Sequence, residues 1–319
     1  MAMQYLARTM QAGAMSDLST RPGAGRVSVR SVARPLLAVD APSMLFRAFY
    51  ALPKSIKGPD GNPVNALLGT ANLILREVET HDPRAVVLCF GPDAAAYRVE
   101  LFPAYHSDRE AAFPDELRPQ WEDSGDFFGA FGWKIATSDD LEADDILGSL
   151  ANKEKKAGGR SLLMTGDRDM FQCADGNTKV LYVSTGKQGG QPMGPAEVKE
   201  RYGIPPKLVP DLIALRGDPS DGIPGAKGVG EKTAVELLRK HGSLEKVLDS
   251  AIRESRPALR KALVGDRDQL LAFKDVATLR AAKVGRPRDK RTDYRRAARA
   301  ARERGMNRLA ERLLEKAGS

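Results

Sequence analysis

Five short apolar runs, spaced along the first two thirds of the sequence, constrain the fold most. PLLAVD (35–40), RAVVLCF (84–90), WKIA (133–136), SLLMTG (161–166) and VLYVS (180–184) read as buried strands. Segments with helical spacing lie between them, at 43–50, 65–81 and 141–156. Strands alternating with helices specify an α/β fold, a parallel sheet with helices on both faces. The stretch GPDGNP (58–63) is a loop by its breakers. After Pro195 the strand signal stops and short helices take over, so a helical lobe is expected to follow the sheet-based core. No internal repeat interrupts this order.

The two ends differ from the body. Residues 1–34 carry small residues, arginines and Asp17 without apolar periodicity. They read as a disordered leader or an overlong start rather than a transit peptide, and they lack the continuous apolar stretch of a secretory signal. Residues 286–319 are rich in arginine at helical spacing and read as one or two surface helices ending the lobe. A nucleic-acid role is open to them, but a charge run is most often a solvated face.

Composition removes several classes of function. With 42% hydrophobic and 29% charged residues in 319, the chain has the balance of a globular protein. No run approaches the roughly 18–20 apolar residues of a membrane span. Two cysteines, Cys89 and Cys173, cannot form a disulfide framework, and three histidines leave no zinc-spaced cluster. A reducing, cytoplasmic location fits that usage. The formal charge of +8 points to a polyanionic partner.

The acids carry the strongest chemical signal. Asp40 ends the first strand. Glu142, Asp144 and Asp145 open a helix after the third, Asp167 and Asp169 follow the fourth, and Asp218 and Asp221 sit in LRGDPSDGIPG. In an open parallel sheet the carboxyl ends of the strands share one edge, where ligands bind. Carboxylates gathered there need cations, and hard oxygen donors favour Mg²⁺ or Mn²⁺. Two such ions can clamp the attacking and leaving oxygens of a phosphodiester. Singly, each acid has a plainer reading. Asp139 and Glu142 fit a capping box, Asp40 and Asp167 fit helix caps, and Asp218 fits a turn. Caps alone are a poor explanation for all of them falling at strand ends.

IPGAKGVGEKT (223–233) nearly matches a P-loop, but Glu231 stands where the lysine belongs and Lys232 comes one place late. A hairpin between two helices fits better. The turn with Gly225, Gly228 and Gly230, and the helix start at Lys232 and Thr233, present backbone N–H groups to phosphate, and Lys227 and Lys232 add charge. Such a grip carries no base specificity.

LLAVDAPSMLFRAFYAL, DDLEADDILGSLA, LLMTGDRDMFQC and LRGDPSDGIPGAKGVGEKTA occur in that order. Together they resemble the 5′–3′ exonuclease and flap endonuclease family, including the 5′-nuclease domain of bacterial DNA polymerase I and stand-alone actinobacterial 5′ nucleases. The resemblance runs from about Pro35 to near the C-terminus. It implies a PIN-like core at 35–194 with a helical arch at 92–119. A helix–hairpin–helix (helix–three-turn–helix) lobe would occupy 195–319, with its hairpin at 222–234 and the C-terminal helices. It implies a structure-specific nuclease, family-like in being a monomer, that acts on DNA at 5′ flaps, nicks or RNA-primer ends in replication and repair. Two Mg²⁺ or Mn²⁺ would sit among Asp40, Glu142, Asp144, Asp145, Asp167, Asp169 and Asp221, with Asp218 a further candidate. K⁺ would bind at the hairpin. Arg47 and Tyr50 would touch the strand near the scissile phosphate, Tyr97 would meet the DNA from the arch, and Arg98 and Arg109 would add catalytic positive charge from it.

Two positions depart from the family pattern. Phe90 is followed by Gly91 where Phe-Asp is usual, so either Asp93, the nearest acid, serves as the metal ligand or one metal contact is missing. The arch motif Tyr-Lys-x-x-Arg becomes Tyr105-His106-Ser107-Asp108-Arg109, so His106 replaces the lysine that polarises the phosphate. Removing an electrostatic interaction of that type costs about 10²–10³ in rate. A catalytically attenuated, junction-binding homologue is therefore the alternative expectation.

Overall fold

Strand β1 (Leu36–Asp40) runs into helix α1 (Ala41–Ala51) with no intervening loop. Asp40 makes this possible, because its carboxylate accepts from the Ser43 N–H at 3.1 Å and caps the helix as Pro42 fixes the first turn. In the computed structural model, residues 34–107, 113–184 and 189–318 are described. The leader expected at 1–34 lies outside them except for Arg34, as does Arg109.

The chain continues through α2 (Asn65–His81), β2 (Ala85–Phe90), α3 (Ala96–Leu101), α4 (Arg118–Ala130), β3 (Lys134–Thr137) and α5 (Ala143–Lys156). Then come β4 (Ser161–Thr165), a 3₁₀ turn at Asp169–Cys173, β5 (Thr178–Tyr182), β6 (Gln191–Met193) and α6 (Pro195–Tyr202). Helices α7 (Val209–Arg216), α8 (Glu231–His241), α9 (Leu244–Ser250), α10 (Pro257–Gly265) and α11 (Arg267–Ala277) follow, then α12 (Tyr294–Glu303) and α13 (Asn307–Gly318).

The sheet order is β3-β2-β1-β4-β5-β6, parallel except for the antiparallel β5–β6 pair. The expected parallel sheet is thus present. The short edge strand β6 was not expected, and β5 begins two residues before the predicted start. The register pairs Leu36 with Ala85 and with Ser161, so the carboxyl ends of β1, β2 and β4 lie side by side. Alternate residues serve opposite faces. Leu36, Ala38, Val87 and Leu163 pack with α5, α7 and the helices that follow it. Leu37, Val39, Leu88 and Met164 pack with α1, α2 and α4.

The last two helices belong to the second of these faces. Ala297, Ala298, Ala300 and Ala301 of α12 are buried with Phe127 and Phe131 of the α4 region. Arg304 pairs with Asp123 of α4, and Lys316 reaches Glu79 of α2 at 3.3 Å. This corrects the expected grouping of α12 and α13 with the lobe. Residues 33–319 form one compact unit. An extended strap carries the chain from one face to the other. On this path Arg280 N–H donates to Asp145 at 2.7 Å, Ala282 N–H to Ser149 at 2.7 Å and Lys290 N–H to the Arg84 carbonyl at 2.8 Å.

Candidate active site

A cleft of about 1170 Å³ opens at the carboxyl edge of the sheet. Asp40, Glu142, Asp144, Asp167, Asp169, Asp218 and Asp221 all line it, so elements far apart in sequence deliver their acids to one place. Asp40 comes from the end of β1 and accepts from Thr165 Oγ1 at 2.7 Å. Asp167 and Asp169 come from the turn after β4, where the Asp169 N–H donates to Asp167 at 2.8 Å. Glu142 and Asp144 come from the start of α5. The capping residues there are three positions later than the sequence suggested: Glu142 is the N-cap, and the Asp145 carboxylate reaches back to the Glu142 N–H at 3.2 Å. Asp218 and Asp221 come from the turn after α7.

Burial is the main cause of the unusual ionisation of this group. It raises the Asp40 carboxyl, with Thr165, Ser43 and Arg47 acting against the rise. It raises Asp144 well above the usual range, and the charges of Asp40, Asp167 and Glu142 add to the effect. Asp169 is raised in the same way, by burial and then by Asp167, Asp221 and Asp218. Asp167 is pushed up to about 6, by burial first and then by Asp221, Asp40 and Asp218. Mutual repulsion of this kind means that these groups share one field.

The donor set suits a hard divalent cation. Every donor is a carboxylate oxygen, and Asp144 Oδ1 is buried with no hydrogen-bond partner among the described residues. A buried carboxylate oxygen left bare is costly unless a cation or donor meets it, so the residues fit such an ion. Among the described residues no three His, Cys, Asp or Glu side chains are closed tightly enough to hold an ion as they stand.

Other expected residues occupy different surroundings. Asp145 is fully buried and held by Arg98, whose guanidinium donates to both of its oxygens at 2.9 and 3.1 Å. Its oxygens also accept from the Glu142 and Arg280 N–H groups, so Asp145 anchors the cleft wall, and it is not among the residues that line the cleft. Arg98 is itself buried, donates to the Val276 carbonyl at 2.9 Å and pairs with Glu142 at 3.1 Å. It lines the cleft and clamps acids there, whereas the sequence reading expected it to add positive charge at the phosphate. Tyr97 points its hydroxyl at Asp145 at 3.4 Å and lies under Arg280, 3.5 Å from the ring centre.

His106 adopts a left-handed backbone conformation, φ 54°, and stacks on Tyr105 at 3.9 Å. Its Nδ1 lies 2.6 Å from the Asp93 carbonyl and its Nε2 3.0 Å from Asp221 Oδ1. The imidazole thus spends its polar atoms inside the protein. The Asp93 side chain is 67% exposed and stands 3.9 Å from His106. Gly91 lies against the start of α5: a Cβ there would meet the Leu141 carbonyl oxygen at 2.3 Å and Glu142 Cα at 2.7 Å. This backbone admits no side chain at 91.

Arg47 lies against the turn after β4, where a Cβ on Gly166 would meet its guanidinium at 2.5 Å, and it is not among the residues that line the cleft. Tyr50 is 71% exposed at the rim. In the hairpin, Gly225 has φ 70° and a Cβ there would meet the Gly217 nitrogen at 2.3 Å, so two turns of chain touch. Lys227, Gly228, Gly230 and Lys232 are exposed, and Thr233 is half-buried. Helix α8 starts without a side-chain cap, leaving its first N–H groups open.

Sequence reasoning passed over several groups. Tyr105 donates to Glu142 at 3.1 Å, Thr165 bridges Asp40 and the Asp167 N–H, and Ser43 accepts from Gly166. Phe46, Phe113 and Trp121 form an edge-to-face cluster on the cleft wall, with ring centres 5.4–6.2 Å apart. Arg118 lies over Phe113 at 5.3 Å. Only the proximity of Phe46 to the RAFYAL motif hinted at any of this.

Residues 35–203 match the family model described as the 5′-3′ exonuclease N-terminal resolvase-like domain, and 204–291 that of the 5′-3′ exonuclease C-terminal SAM fold. A 5′-3′ exonuclease of Mycobacterium tuberculosis is 38% identical over 257 residues, 75% of this chain and 79% of the relative. A 5′-3′ exonuclease of Streptomyces coelicolor is 36% identical over 243 residues, 71% of this chain and 80% of the relative. DNA polymerase I of Bacillus subtilis is 34% identical over 246 residues, 77% of this chain but 28% of the polymerase. The T5 D15 protein co-crystallised with metal ions superposes with a TM-score of 0.66 at 15% identity, over 88% of this chain and 99% of the other. The catalytic core of Rad2 in complex with DNA substrate gives 0.58 at 18%, over 90% and 94%. At those identities the two structures speak for the fold.

Proposed function

Because this chain belongs to the 5′–3′ exonuclease family, we propose that it hydrolyses DNA phosphodiesters at 5′ flaps, nicks or RNA-primer ends with Mg²⁺ or Mn²⁺. One observation carries the reading: four carboxylates, the buried Asp40 and the half-buried Asp144, Asp167 and Asp169, line a single cleft, where desolvation raises all four and neighbouring acids raise the last three further. Asp40, Asp144, Asp167 and Asp169 would hold two divalent ions, with Glu142, Asp218 and Asp221 at the margin. When bound, such ions polarise the phosphate and activate water near neutral pH.

The chain's own groups do the rest. Thr165 and Ser43 hold Asp40 in one rotamer, and Arg98 fixes the start of α5 through Asp145, so the acids are positioned before substrate arrives. Arg118, Arg168 and Arg216 line the cleft and offset phosphate charge. The Phe46–Phe113–Trp121 wall gives a frayed base a surface to stack on. The open N–H groups of α8 and the exposed Lys227 and Lys232 grip duplex phosphates, with K⁺ a further ligand of the hairpin. In this reading 35–194 is the nuclease core, 195–277 the duplex-gripping lobe, and the protein works as a cytoplasmic monomer. No described helix is long and apolar enough to cross a membrane.

The test is cleavage of a labelled 5′-flap duplex with Mg²⁺, Mn²⁺ or EDTA. Product should require the metal, and Asp144→Asn should lower the rate by at least about 10². Native-rate cleavage by Asp144→Asn contradicts the assignment. A slower, binding-dominated homologue is favoured by one observation, that His106 is engaged by Asp221 rather than turned toward phosphate. It predicts tight flap binding with little turnover even in Mn²⁺.

A further inference from the structure

The positive charge of this chain is concentrated outside the cleft. Residues 286–319 hold twelve Lys and Arg against five Asp and Glu, so they carry +7 of the total of +8. Helix α12 organises part of that charge. Arg295, Arg299 and Arg302 recur at i, i+4 and i+7 and fall on one stripe, flanked by Arg296. The stripe lies opposite the buried face of Ala297, Ala298, Ala300 and Ala301. All four arginines are exposed, and none of their side chains has a hydrogen-bond or ion-pair partner among the described residues. Glu303, the helix's one acid, stands one turn beyond Arg299, and Asp293 caps the helix start through the Arg296 N–H, but neither forms an ion pair with the four arginines among the described residues.

Such a helix breaks two local rules. Like charges at i, i+4 repel, and Arg295 and Arg296 stand in the first turn, at the positive end of the helix dipole. A merely solvated face would mix signs along its exposed rows. Sequences that break local rules without internal compensation commonly do so at a functional surface. The position is also informative. Arg304, two residues after Arg302, pairs with Asp123, and the neighbours of Asp123 in sequence, Trp121 and Glu122, line the cleft. The C-terminal end of α12 is therefore anchored to the part of α4 that borders the cleft, and the helix, with its stripe facing outward, leads away from there by about 15 Å.

We propose that the α12 arginine stripe is a second nucleic-acid contact, which holds the phosphate backbone of a duplex arm leaving the cleft. This rests on the reading of the cleft as a DNA site. The stripe lies beyond the part of the chain matched by the family models, which ends at residue 291. At 3.4 Å per nucleotide along a strand, the length of the helix corresponds to about four base pairs.

The experiment measures binding of a flap duplex in EDTA, so that no cleavage intervenes, over a range of salt. Wild type is compared with the triple variant Arg295→Gln, Arg299→Gln, Arg302→Gln and with its all-lysine counterpart. Melting curves establish that both variants are folded. The slope of log affinity against log salt should flatten by about 0.9 for each phosphate that the glutamine variant leaves unneutralised, and lysine should restore it. The difference should vanish when one duplex arm is cut below about four base pairs. An unchanged slope overturns the proposal and would leave the stripe to an acidic protein partner. A weakening equal on all DNAs, short arms included, also overturns it. Wild type that binds in this way but never cleaves with metal would sink the nuclease reading and leave the stripe intact.

Discussion

Gly91 gives the sharpest prediction, because the family usually carries an acid there and this backbone excludes one. A Cβ at 91 would lie 2.3 Å from the Leu141 oxygen, 2.7 Å from Glu142 Cα and 2.8 Å from the Ala143 nitrogen. All three are backbone atoms, so no side-chain rotation relieves the overlap. The start of α5 has to move by roughly an ångström, and overpacking of this sort costs about 1–3 kcal/mol. Gly91→Ala should therefore lower Tm by about 2–10 °C. The same displacement moves Glu142 and Asp144, so Gly91→Asp should lose metal-dependent cleavage rather than recover a missing ligand. Thermal melts and a flap assay on the two variants decide the matter. A Gly91→Ala melt within about 1 °C of wild type, or a faster Gly91→Asp enzyme, refutes the reasoning.

Arg98→Met strands two buried carboxylates, Glu142 and Asp145. Removing one partner of a buried pair costs about 3–5 kcal/mol, and a loss under about 1 kcal/mol in denaturant titration contradicts the clamp. The cleft carboxyls take up protons at higher pH folded than unfolded, Asp167 at about 6. Without metal, their contribution to stability is lost as pH rises through 6 and regained on acidification. Mg²⁺ selects the ionised form, so its increment in Tm should be larger at pH 8 than at pH 5, and equal increments would count against the cluster. Gly225→Ala forces a side chain into a φ of 70° and against the Gly217 nitrogen. It should weaken duplex binding by about tenfold or more while the Mg²⁺-induced rise in Tm persists, and unaltered binding contradicts the hairpin's role.

The sheet was legible because each buried strand is a separate apolar run, and its carboxyl edge followed from strand–helix alternation. The acids at that edge were legible for the same reason: Asp40 and Asp167 sit at strand ends by sequence alone. The pairing of Arg98 with Asp145 was not. They are 47 residues apart, and nothing in AYRVEL says that the arginine turns inward. Gly91 looked like a missing ligand, because the approach of residues 141–143 is a tertiary fact. Strand β6 was invisible, since three residues that include Pro192 carry no period. Helix α12 was read as surface because its buried face is alanine alone, a weak apolar signal beside four arginines and a glutamate.

Anomalous diffraction from a crystal soaked in Mn²⁺ tests the central claim most directly. The account predicts peaks within coordination distance of Asp40, Asp144, Asp167 and Asp169, with none on Asp145 or Asp93. Peaks elsewhere, or none in the cleft at saturating Mn²⁺, would contradict it.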